Sequence, residues 1–295
     1  MRGVMIVSGY LRGPHFDAIY DNYRQAARRL NVTLETAYNT DLHPRTDSGS
    51  GPRVDGFSGA DFVLFLDKDV ILARQLELMG VPVFNSARTI ALCDHKYHAF
   101  LALADTGLNL PETISAPLCY ANSVWDESES LIADAEARLG YPMVVKEAYG
   151  SQGKQVYLAR DRAELIALRR RLFHIPHLFQ QYIASSAGTD VRLAVVGDRV
   201  VAAMRRYGGD FRANLSLGGR MEPFDPPAAF TDAALRAAKA VGADFAGVDL
   251  LFGENGEPVV CEVNSNAYIE NLRQCTGVNV AEPMLHYIIE RIGDA

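Results

Sequence analysis

The stretch VVCEVNSN, residues 259–266, has the composition of a buried strand but carries a carboxylate and a carboxamide. Side chains of a strand alternate between its two faces. We therefore expect Cys261 and Val263 to face the core, and Glu262 and Asn264 to share the opposite face. Hard oxygen ligands on one face of a valine-rich strand indicate a binding surface as well as packing.

The preceding strand-like run carries one acid, Asp249, and Asn255-Gly256 lies between the two runs. Asn-Gly is the strongest two-residue hairpin signal. If this pair forms the turn, Asp249 lies six residues before it and faces Glu262, six residues after it. Facing carboxylates repel each other, and a bound cation reverses that effect. Together with the amide of Asn264 they suit Mg²⁺. The alternative is an ordinary exposed acidic hairpin.

The composition limits the classes of protein and partner. The chain has 295 residues, of which 48% are hydrophobic, and a net charge of −7. This size predicts two or three domains or subdomains, and the acidic balance argues against nucleic acid or an anionic membrane as a partner. The first residues lack the apolar run of a signal peptide, and no stretch approaches a membrane span. The four cysteines show no metal-ligand spacing, so we expect a reduced, cytoplasmic protein.

Alternating strand-like and helical segments over residues 1–93 predict a small parallel α/β domain. The second half contains several hairpin patterns, one of which turns at Gly197-Asp198. Hairpins are typical of antiparallel sheet, so the predicted fold class is α/β or α+β. Residues 43–56 are rich in Gly, Pro and Ser and predict a mobile loop within the first domain.

A glycine-rich turn, residues 149–154, follows a strand-like run that contains Lys146. Backbone N–H groups around Gly150 and Gly153 can hold phosphate oxygens, and the nearby ammonium group adds positive charge. The alternative is an ordinary hairpin turn, since the Gly-Lys-Ser/Thr ending of a P-loop is missing. Lys96, on a predicted helix, is by itself typical of a solvated lysine.

Taken in order, Lys96, Lys146, the glycine turn and the acidic hairpin resemble the ATP-grasp family, specifically its RimK-like glutamate ligase branch. The resemblance runs from about Lys96 to Ile292 and is densest in PMVVKEAYGSQGKQVYLA, GTDVRLAVVGDRVVAAMRR and CEVNSNAYIENLRQCTGVNVA. It implies an ATP-grasp architecture, in which an N-terminal parallel α/β domain precedes two sheet-containing subdomains that clasp ATP. The implied boundaries are residues 1–93, 94–184 and 185–295.

The resemblance also implies which positions contact ATP and metal. The positions that match ATP contacts are Lys96 and Lys146 at the phosphates, Gly150, Ser151, Gln152 and Gly153 in the loop that closes over them, Gln181, Tyr182 and Ile183 at the adenine hinge, Asp190 at the ribose, and Arg212 and Asn214 near the phosphates. The matching metal ligands are Asp249, Glu262 and Asn264, for one or two Mg²⁺ ions, with Mn²⁺ as an alternative. The family often has a glutamate where Gln181 stands, but backbone contacts to adenine survive that change.

The activity implied by the resemblance is that of an ATP-dependent carboxylate–amine ligase, which forms an amide or peptide bond through an acyl phosphate. Glutamate is the expected participant. Arg212 is the expected catalytic residue, because it can steady the γ-phosphate or the developing oxyanion. The candidate substrate contacts are Arg192, Arg205 and Arg206, which suit a carboxylate, and Ser265, Asn266 and Tyr268, in a loop that departs from the family's Ser-Pro-Gly. Each of these arginines taken alone is typical of a surface charge.

Two alternatives stay open at this point. The chain could be a ligase that adds an amino acid to the end of a protein or peptide. It could also be a nucleotide-binding regulatory protein that has the fold without the chemistry, although an intact set of three metal ligands favours an enzyme. The expected partners are small amino acid or peptide substrates, and self-association into a homo-oligomer is left open.

Overall fold

The structure, a computed structural model, describes residues 1–49, 51–126, 130–213 and 218–293. Within these ranges the strands are β1 (Arg2–Val7), β2 (Thr33–Tyr38), β3 (His43–Arg45), β4 (Arg53–Asp55), β5 (Phe62–Leu66), β6 (Val83–Phe84), β7 (Thr113–Ser115), β8 (Met143–Glu147), β9 (Val156–Ala159), β10 (His177–Gln181), β11 (Thr189–Val196), β12 (Arg199–Tyr207), β13 (Arg220–Pro223), β14 (Phe245–Phe252) and β15 (Pro258–Asn264). The helices are α1 (Pro14–Arg29), α2 (Val70–Leu78), α3 (Ala87–Asp94), α4 (Lys96–Leu103), α5 (Ser130–Leu139), α6 (Arg162–Arg171), α7 (Ala228–Ala240), α8 (Ile269–Thr276) and α9 (Ala281–Gly293).

The first sheet is parallel, with strand order β2-β1-β5-β6, and it confirms the predicted parallel α/β domain. Strands β1 and β5 are almost wholly buried because helices cover both faces of the sheet. Helix α1 packs on one face through Ile19, Tyr23 and Ala26. Helix α2 packs on the other face through Leu72 and Leu76.

The two remaining large sheets are antiparallel, with strand orders β7-β10-β8-β9 and β13-β12-β11-β14-β15. The β11–β12 hairpin turns at Gly197-Asp198 as predicted, and Gly197 has φ +57°, a conformation that suits glycine. Helix α7 covers one face of the third sheet through Phe230 and Ala234. The other face shares one continuous core with α1, α8 and α9, so the first and third sheets are packed into a common core.

The β14–β15 hairpin pairs Asp249 with Glu262, as the sequence predicts. The turn is longer than the predicted two residues, since residues 253–257 connect the strands. A bulge at Cys261 then shifts the register by one residue. The extra residue compensates for the longer turn and restores the predicted pair.

This bulge overturns the faces predicted for β15. Cys261 and Glu262 line the same cavity, whereas Val260 and Val263 both lie in the core beneath α7. Strict alternation fails because a bulge lets two consecutive residues face the same side. Cys261 is therefore a cavity residue and not a core residue.

A second bulge lies in β12 at Val201, between the pairs Val195–Val200 and Ala194–Ala202. An unbroken register from the Gly197-Asp198 turn would pair Asp190 with Arg205. The bulge pairs Asp190 with Arg206 instead. It thereby decides which of two adjacent arginines reaches the face of the sheet that carries Asp190.

Residues 43–56, predicted to be a mobile loop, contain the two-stranded ribbon β3–β4. Val54 of this ribbon is buried. The side-chain amide of Gln75, on α2, holds the ribbon in place, because its Nε2 donates to the carbonyl oxygens of Arg45 and Arg53. The four cysteines of the chain are free thiols. None of the helices in the described part of the chain combines the length and apolar composition that a membrane span requires.

Candidate functional site

A cavity of about 870 Å³, counted with its open mouth, lies between the second and third sheets. We call it the first cavity. It brings together most of the predicted ATP and metal positions, namely Lys96, Lys146, Gly150, Ser151, Gln152, Gly153, Gln181, Tyr182, Ile183, Asp190, Arg212, Asp249 and Glu262. Arg206, a predicted substrate contact, also lines it.

A row of alternating charges crosses strands β12, β11 and β14 at this cavity. Arg206 donates two hydrogen bonds of 2.7 Å to the carboxylate of Asp190, and its Nη2 lies 3.1 Å from Oδ2 of Asp249. Arg192 donates two hydrogen bonds of 2.7 Å to the same Asp249 carboxylate. The strand register creates the row, since Asp190 pairs with Arg206 and Arg192 pairs with Asp249.

Asp190, Arg206 and Asp249 are buried and Arg192 is half-buried, and Asp249 is only 4% exposed. A buried charge is tolerated when it is paired and hydrogen-bonded, and losing one partner is costly. Burial acts to raise the pKa of Asp249, but Arg192 and Arg206 outweigh burial and lower that pKa. Asp249 is therefore ionised and fixed in place. This geometry excludes the alternative of an exposed acidic hairpin.

Lys96 and Lys146 reach the same cavity from α4 and β8, and each is 8% exposed. Nζ of Lys96 donates to the carbonyl oxygen of Gly150 at 2.9 Å and lies 3.2 Å from Oε1 of Glu262. Nζ of Lys146 lies 3.7 Å from Sγ of Cys261. Burial excludes the reading of Lys96 as a solvated helix lysine. Two ammonium groups around one carboxylate leave a net positive region, which suits phosphate oxygens.

The glycine turn connects β8 to β9 and lines the cavity. Gln152 and Gly153 have φ +59° and +71°, the left-handed region that glycine enters without strain. A Cβ atom on Gly150 would lie 2.8 Å from the side chain of Gln155. Nη1 of Arg212 donates to the carbonyl oxygen of Gly153 at 3.0 Å. Arg212 therefore links the turn to the chain that follows β12.

The predicted hinge, residues 181–183, lines the cavity directly after β10. Gln181 exchanges two hydrogen bonds with Glu112: its N–H donates to the carbonyl oxygen at 2.8 Å, and its Oε1 accepts from the N–H at 3.3 Å. The second bond needs a side-chain acceptor. An amide oxygen supplies it as a carboxylate would, so the glutamine found here preserves this contact.

A second, larger cavity of about 1,650 Å³ lies beside the first. Part of its lining follows the parallel strands directly, with Ser8 after β1, Asn39 after β2 and Asp67 after β5. The segment after β15 forms another part. Ser151 and Gln152 line both cavities, so the two sites meet at the glycine turn.

The loop that departs from the family pattern belongs mainly to the second cavity. Asn266 and Tyr268 line it. Ser265 is buried, and its carbonyl oxygen accepts a hydrogen bond of 2.8 Å from Nδ2 of Asn85. Ser265 thus anchors the loop. Asn214, the remaining predicted phosphate contact, lies outside the described residues.

The three arginines predicted to bind a substrate carboxylate are divided between the faces of the third sheet. Arg192 and Arg206 are engaged with protein carboxylates, so a role on a substrate requires those pairs to open. Arg205 lies on the opposite face, with its guanidinium over the rings of Tyr207 and Phe252 at 5.0 and 4.8 Å. The structure does not bring Arg205 into either cavity.

Sequence reasoning missed three residues that shape the site. The side chain of Gln155 supports the glycine turn, and the bulge places Cys261 beside Lys146. Neither contact has a sequence signal. Asp67 had one, because a polar residue directly after a buried strand of a parallel sheet lies at the edge where ligands bind.

The oxygen atoms of the three predicted metal ligands fit a divalent cation, but the three residues are not equally available to bind one. Oε2 of Glu262 and Oδ1 of Asn264 accept no hydrogen bond from any described residue, whereas both oxygens of Asp249 already accept from arginines. One carboxylate and one amide oxygen are ligands that Mg²⁺ accepts, with water and phosphate completing its shell. Within the described ranges no three His, Cys, Asp or Glu side chains are grouped for a metal ion, and the predicted set relies on an amide.

Comparison with known proteins places this geometry in context. The sequence profile of the RimK-like ATP-grasp domain matches residues 73–288. The chain is 40% identical over 222 residues to the probable alpha-L-glutamate ligase 2 of Shewanella amazonensis. The matched region covers 74% of this chain and 70% of that protein. The chain is 37% identical over 228 residues to the beta-citrylglutamate synthase B of Danio rerio, and this match covers 76% of this chain but 54% of that protein. The crystal structure of a RimK domain ATP-grasp protein from Sphaerobacter thermophilus superposes with a TM-score of 0.71 at 22% identity, over 97% of this chain and 99% of that one.

Proposed function

Since the chain belongs to the RimK-like ATP-grasp family, we propose that it is an ATP-dependent, ADP-forming ligase that joins a carboxylate to an amine. The observation that carries this proposal is the pair of buried lysines, Lys96 and Lys146, in the same cavity as the acidic side chains of Asp249 and Glu262. Phosphoryl transfer depends on positioned positive charge, and this cavity supplies it.

The proposed reaction has two steps. An oxygen of the substrate carboxylate attacks the γ-phosphorus of ATP, the bond from that phosphorus to the bridging oxygen breaks, and ADP leaves. The amine nitrogen then attacks the acyl carbon of the acyl phosphate. The carbon–oxygen bond to phosphate breaks, inorganic phosphate leaves with that oxygen, and the nitrogen loses its extra proton to give the amide.

The residues of the first cavity have distinct parts in this scheme. Lys96 and Lys146 bind phosphate oxygens, and Arg212 holds the glycine turn closed through its contact with Gly153 while it faces the transferring group. Glu262, with Asp249 beside it, and Asn264, which lines the second cavity, would hold Mg²⁺, and the ion would neutralise charge on the phosphoryl group. Closure of the turn limits water, which would otherwise hydrolyse the acyl phosphate.

The substrates are proposed at the level of chemical class. Relatives named as glutamate ligases and citrylglutamate synthases support an amino acid or small peptide on at least one side of the new bond. A protein or peptide terminus as acceptor is the second candidate, since the cavity of about 1,650 Å³ has room for an extended chain. We also propose that the chain divides into domains after residues 93 and 184. A cytoplasmic location and self-association are proposed as well.

A coupled assay tests the proposal. Protein, ATP and Mg²⁺ are incubated with pairs of carboxylates and amines, ADP is measured, and products are identified by mass. We expect ADP to form only when both substrates are present, with a product equal in mass to the pair less water. Lys146→Ala should abolish the signal, whereas Lys239→Ala, an exposed lysine on α7, should not. Tight ATP binding without substrate-dependent ADP would support the regulatory alternative instead.

A further inference from the structure

Asp67 is a half-buried carboxylate on the wall of the second cavity. It follows β5 directly, at the edge where the parallel strands end. Ser8 and Asn39, which follow β1 and β2, line the same cavity. In open α/β sheets, ligands bind outside the carboxyl ends of the strands. This position therefore presents Asp67 to whatever occupies the cavity.

The charge of Asp67 has no cation to balance it. Its Oδ1 accepts from the backbone N–H groups of Lys68 and Asp69 at 2.8 and 2.9 Å and from Nδ2 of Asn39 at 3.4 Å, and the side chain of Ser8 also hydrogen-bonds to the carboxylate. No ion pair to Asp67 is present among residues 1–49, 51–126, 130–213 and 218–293. The adjacent Lys68 is taken by Asp94, at 2.5 Å. Burial raises the pKa of Asp67, which means that a bound cation would relieve a desolvated charge.

Another part of the cavity lining is aromatic. Its lining includes Tyr10, Phe16, Tyr20 and Tyr268, which we call the aromatic wall. The rings of Phe16 and Tyr268 meet edge to face at 6.4 Å. Tyr10 is 84% exposed, so it offers ring surface that no other described side chain covers. Burial raises the pKa of Tyr20 to about 12, so its phenol is neutral. Such a wall suits an apolar or aromatic ligand body.

A smaller cavity of about 330 Å³ continues beneath the loop after β15. It shares Tyr23, Leu66 and Ala267 with the second cavity. Its deeper lining is apolar and includes Phe245 and Leu272. The lining next to this part of the second cavity is therefore mainly apolar.

The basic side chains that line the second cavity, within the described residues, are Lys68 and Lys154. Because Asp94 neutralises Lys68, Lys154 remains for a ligand anion. An amino acid with one carboxylate can be matched by Lys154, but glutamate brings two. Each unpaired carboxylate moved into such a cavity carries a desolvation cost. The charge of the site thus disfavours a dicarboxylic acceptor.

We propose that the second cavity binds the amine substrate as an ammonium ion on Asp67, with an apolar or aromatic body against the aromatic wall, so that the acceptor is a hydrophobic amine and not a dicarboxylic amino acid. This inference rests on the proposed function, because it assigns the acceptor of that ligase. It departs from the glutamate expected by family resemblance.

Binding measurements separate the two parts of this inference. With a non-hydrolysable ATP analogue and Mg²⁺ present, the protein is titrated with 2-phenylethylamine, 3-phenylpropionate and L-glutamate. We expect 2-phenylethylamine to bind at least about tenfold more tightly than either of the others, since a charge-assisted bond is lost in the first control and the aromatic contact in the second. Equal binding of all three, or tighter binding of glutamate, would overturn the proposal.

Substitution then tests the residue. Asn at position 67 retains an oxygen for the two backbone N–H groups, so Asp67→Asn should fold as the wild type does, as melting checks. We expect it to lose at least about tenfold in affinity for 2-phenylethylamine. The matched control is Asp17→Asn, an exposed acid of α1 outside the cavity lining, which should change nothing. Unchanged amine affinity in Asp67→Asn would contradict the assignment.

Nucleotide affinity, measured on the same samples, distinguishes failure of the acceptor assignment from failure of the proposed function. A protein that binds the nucleotide but prefers glutamate leaves the ligase proposal intact and removes the acceptor assignment. A protein that binds 2-phenylethylamine through Asp67 but turns over no ATP with any carboxylate keeps the cavity assignment and removes the ligase. Should Asp67→Asn misfold, the three ligands on the wild-type protein still decide the matter.

Discussion

Asp249 and Glu262 face each other across β14 and β15, and each already has a cation of the protein beside it. Asp249 accepts both hydrogen bonds of the Arg192 fork at 2.7 Å, and Glu262 lies 3.2 Å from Nζ of Lys96. The two acids differ in burial, since the side chain of Asp249 is 6% exposed and that of Glu262 is 28% exposed. They should therefore respond differently to loss of charge.

We expect Glu262→Gln to fold almost normally, because the Gln amide keeps an oxygen for the buried Nζ of Lys96, which also donates to the carbonyl oxygen of Gly150. It should lose about 100-fold or more in turnover, because a metal ligand acts directly on the transferring group. Asp249→Asn should instead destabilise the protein by about 3–5 kcal/mol, since it removes the charged partner that the buried Arg206 and the half-buried Arg192 share. Thermal melts and turnover of both variants check this. Equal stability of the two variants would contradict the assigned roles.

Lys146 and Lys154 lie at opposite ends of the glycine turn and differ in burial. Lys146 is 8% exposed and points at Cys261, whereas Lys154 is exposed. We expect Lys146→Ala to weaken ATP binding by at least about tenfold and Lys154→Ala to weaken it by less. Calorimetric titration with a non-hydrolysable analogue measures both. A larger loss at Lys154 would place the phosphates nearer the second cavity.

The glycine turn should become more protected when nucleotide binds. Its glycines give little side-chain packing, and it is held by a few contacts such as that between Arg212 and Gly153. We expect hydrogen exchange over residues 148–155 to slow with ATP analogue and Mg²⁺, and exchange in β1 to stay as it is. If exchange over the turn were unchanged at saturating nucleotide, the turn would be a rigid structural hairpin.

Tyr268 should affect the choice of amine more than the affinity for ATP, because it lines the second cavity and not the first. We expect Tyr268→Ala to lower kcat/KM at least about tenfold for an aromatic amine and to leave nucleotide affinity within a factor of two or so. Tyr268→Phe, which keeps the ring beside Phe16, is the control. An effect confined to ATP affinity would move this loop into the nucleotide site.

The sequence was sufficient for the fold class and for most of the first cavity. Periodicity and turn signals predicted the parallel sheet and the β11–β12 hairpin, because local chemistry such as that of Gly197 decides these features. The order of two lysines, a glycine turn and an acidic hairpin predicted a site because separate elements of one fold converge there. Lys96 shows why a residue considered alone can mislead. By itself it is typical of a solvated lysine, but its burial depends on contacts with Glu262 and Gly150, which are distant in the sequence.

What the sequence could not supply is the register at two bulges. The bulge at Cys261 keeps Asp249 opposite Glu262 despite a longer turn, and the bulge at Val201 selects Arg206 over Arg205 as the partner of Asp190. A bulge inserts one residue without a strong local signal, because its position depends on how the whole sheet twists. In the structure Arg192 and Arg206 pair with protein carboxylates, whereas Arg205 lies over aromatic rings. Contact of these arginines with a substrate stays a prediction.

The most direct test of the ligase mechanism follows oxygen from the donor carboxylate. A donor labelled with oxygen-18 in both carboxyl oxygens is turned over with ATP, Mg²⁺ and the amine found in the assay, and phosphate, nucleotide and amide are examined by mass. We expect ADP as the nucleotide product, one labelled oxygen in each phosphate released and the other in the amide. Phosphate without label, or formation of AMP and pyrophosphate, would contradict transfer of the phosphoryl group to the carboxylate.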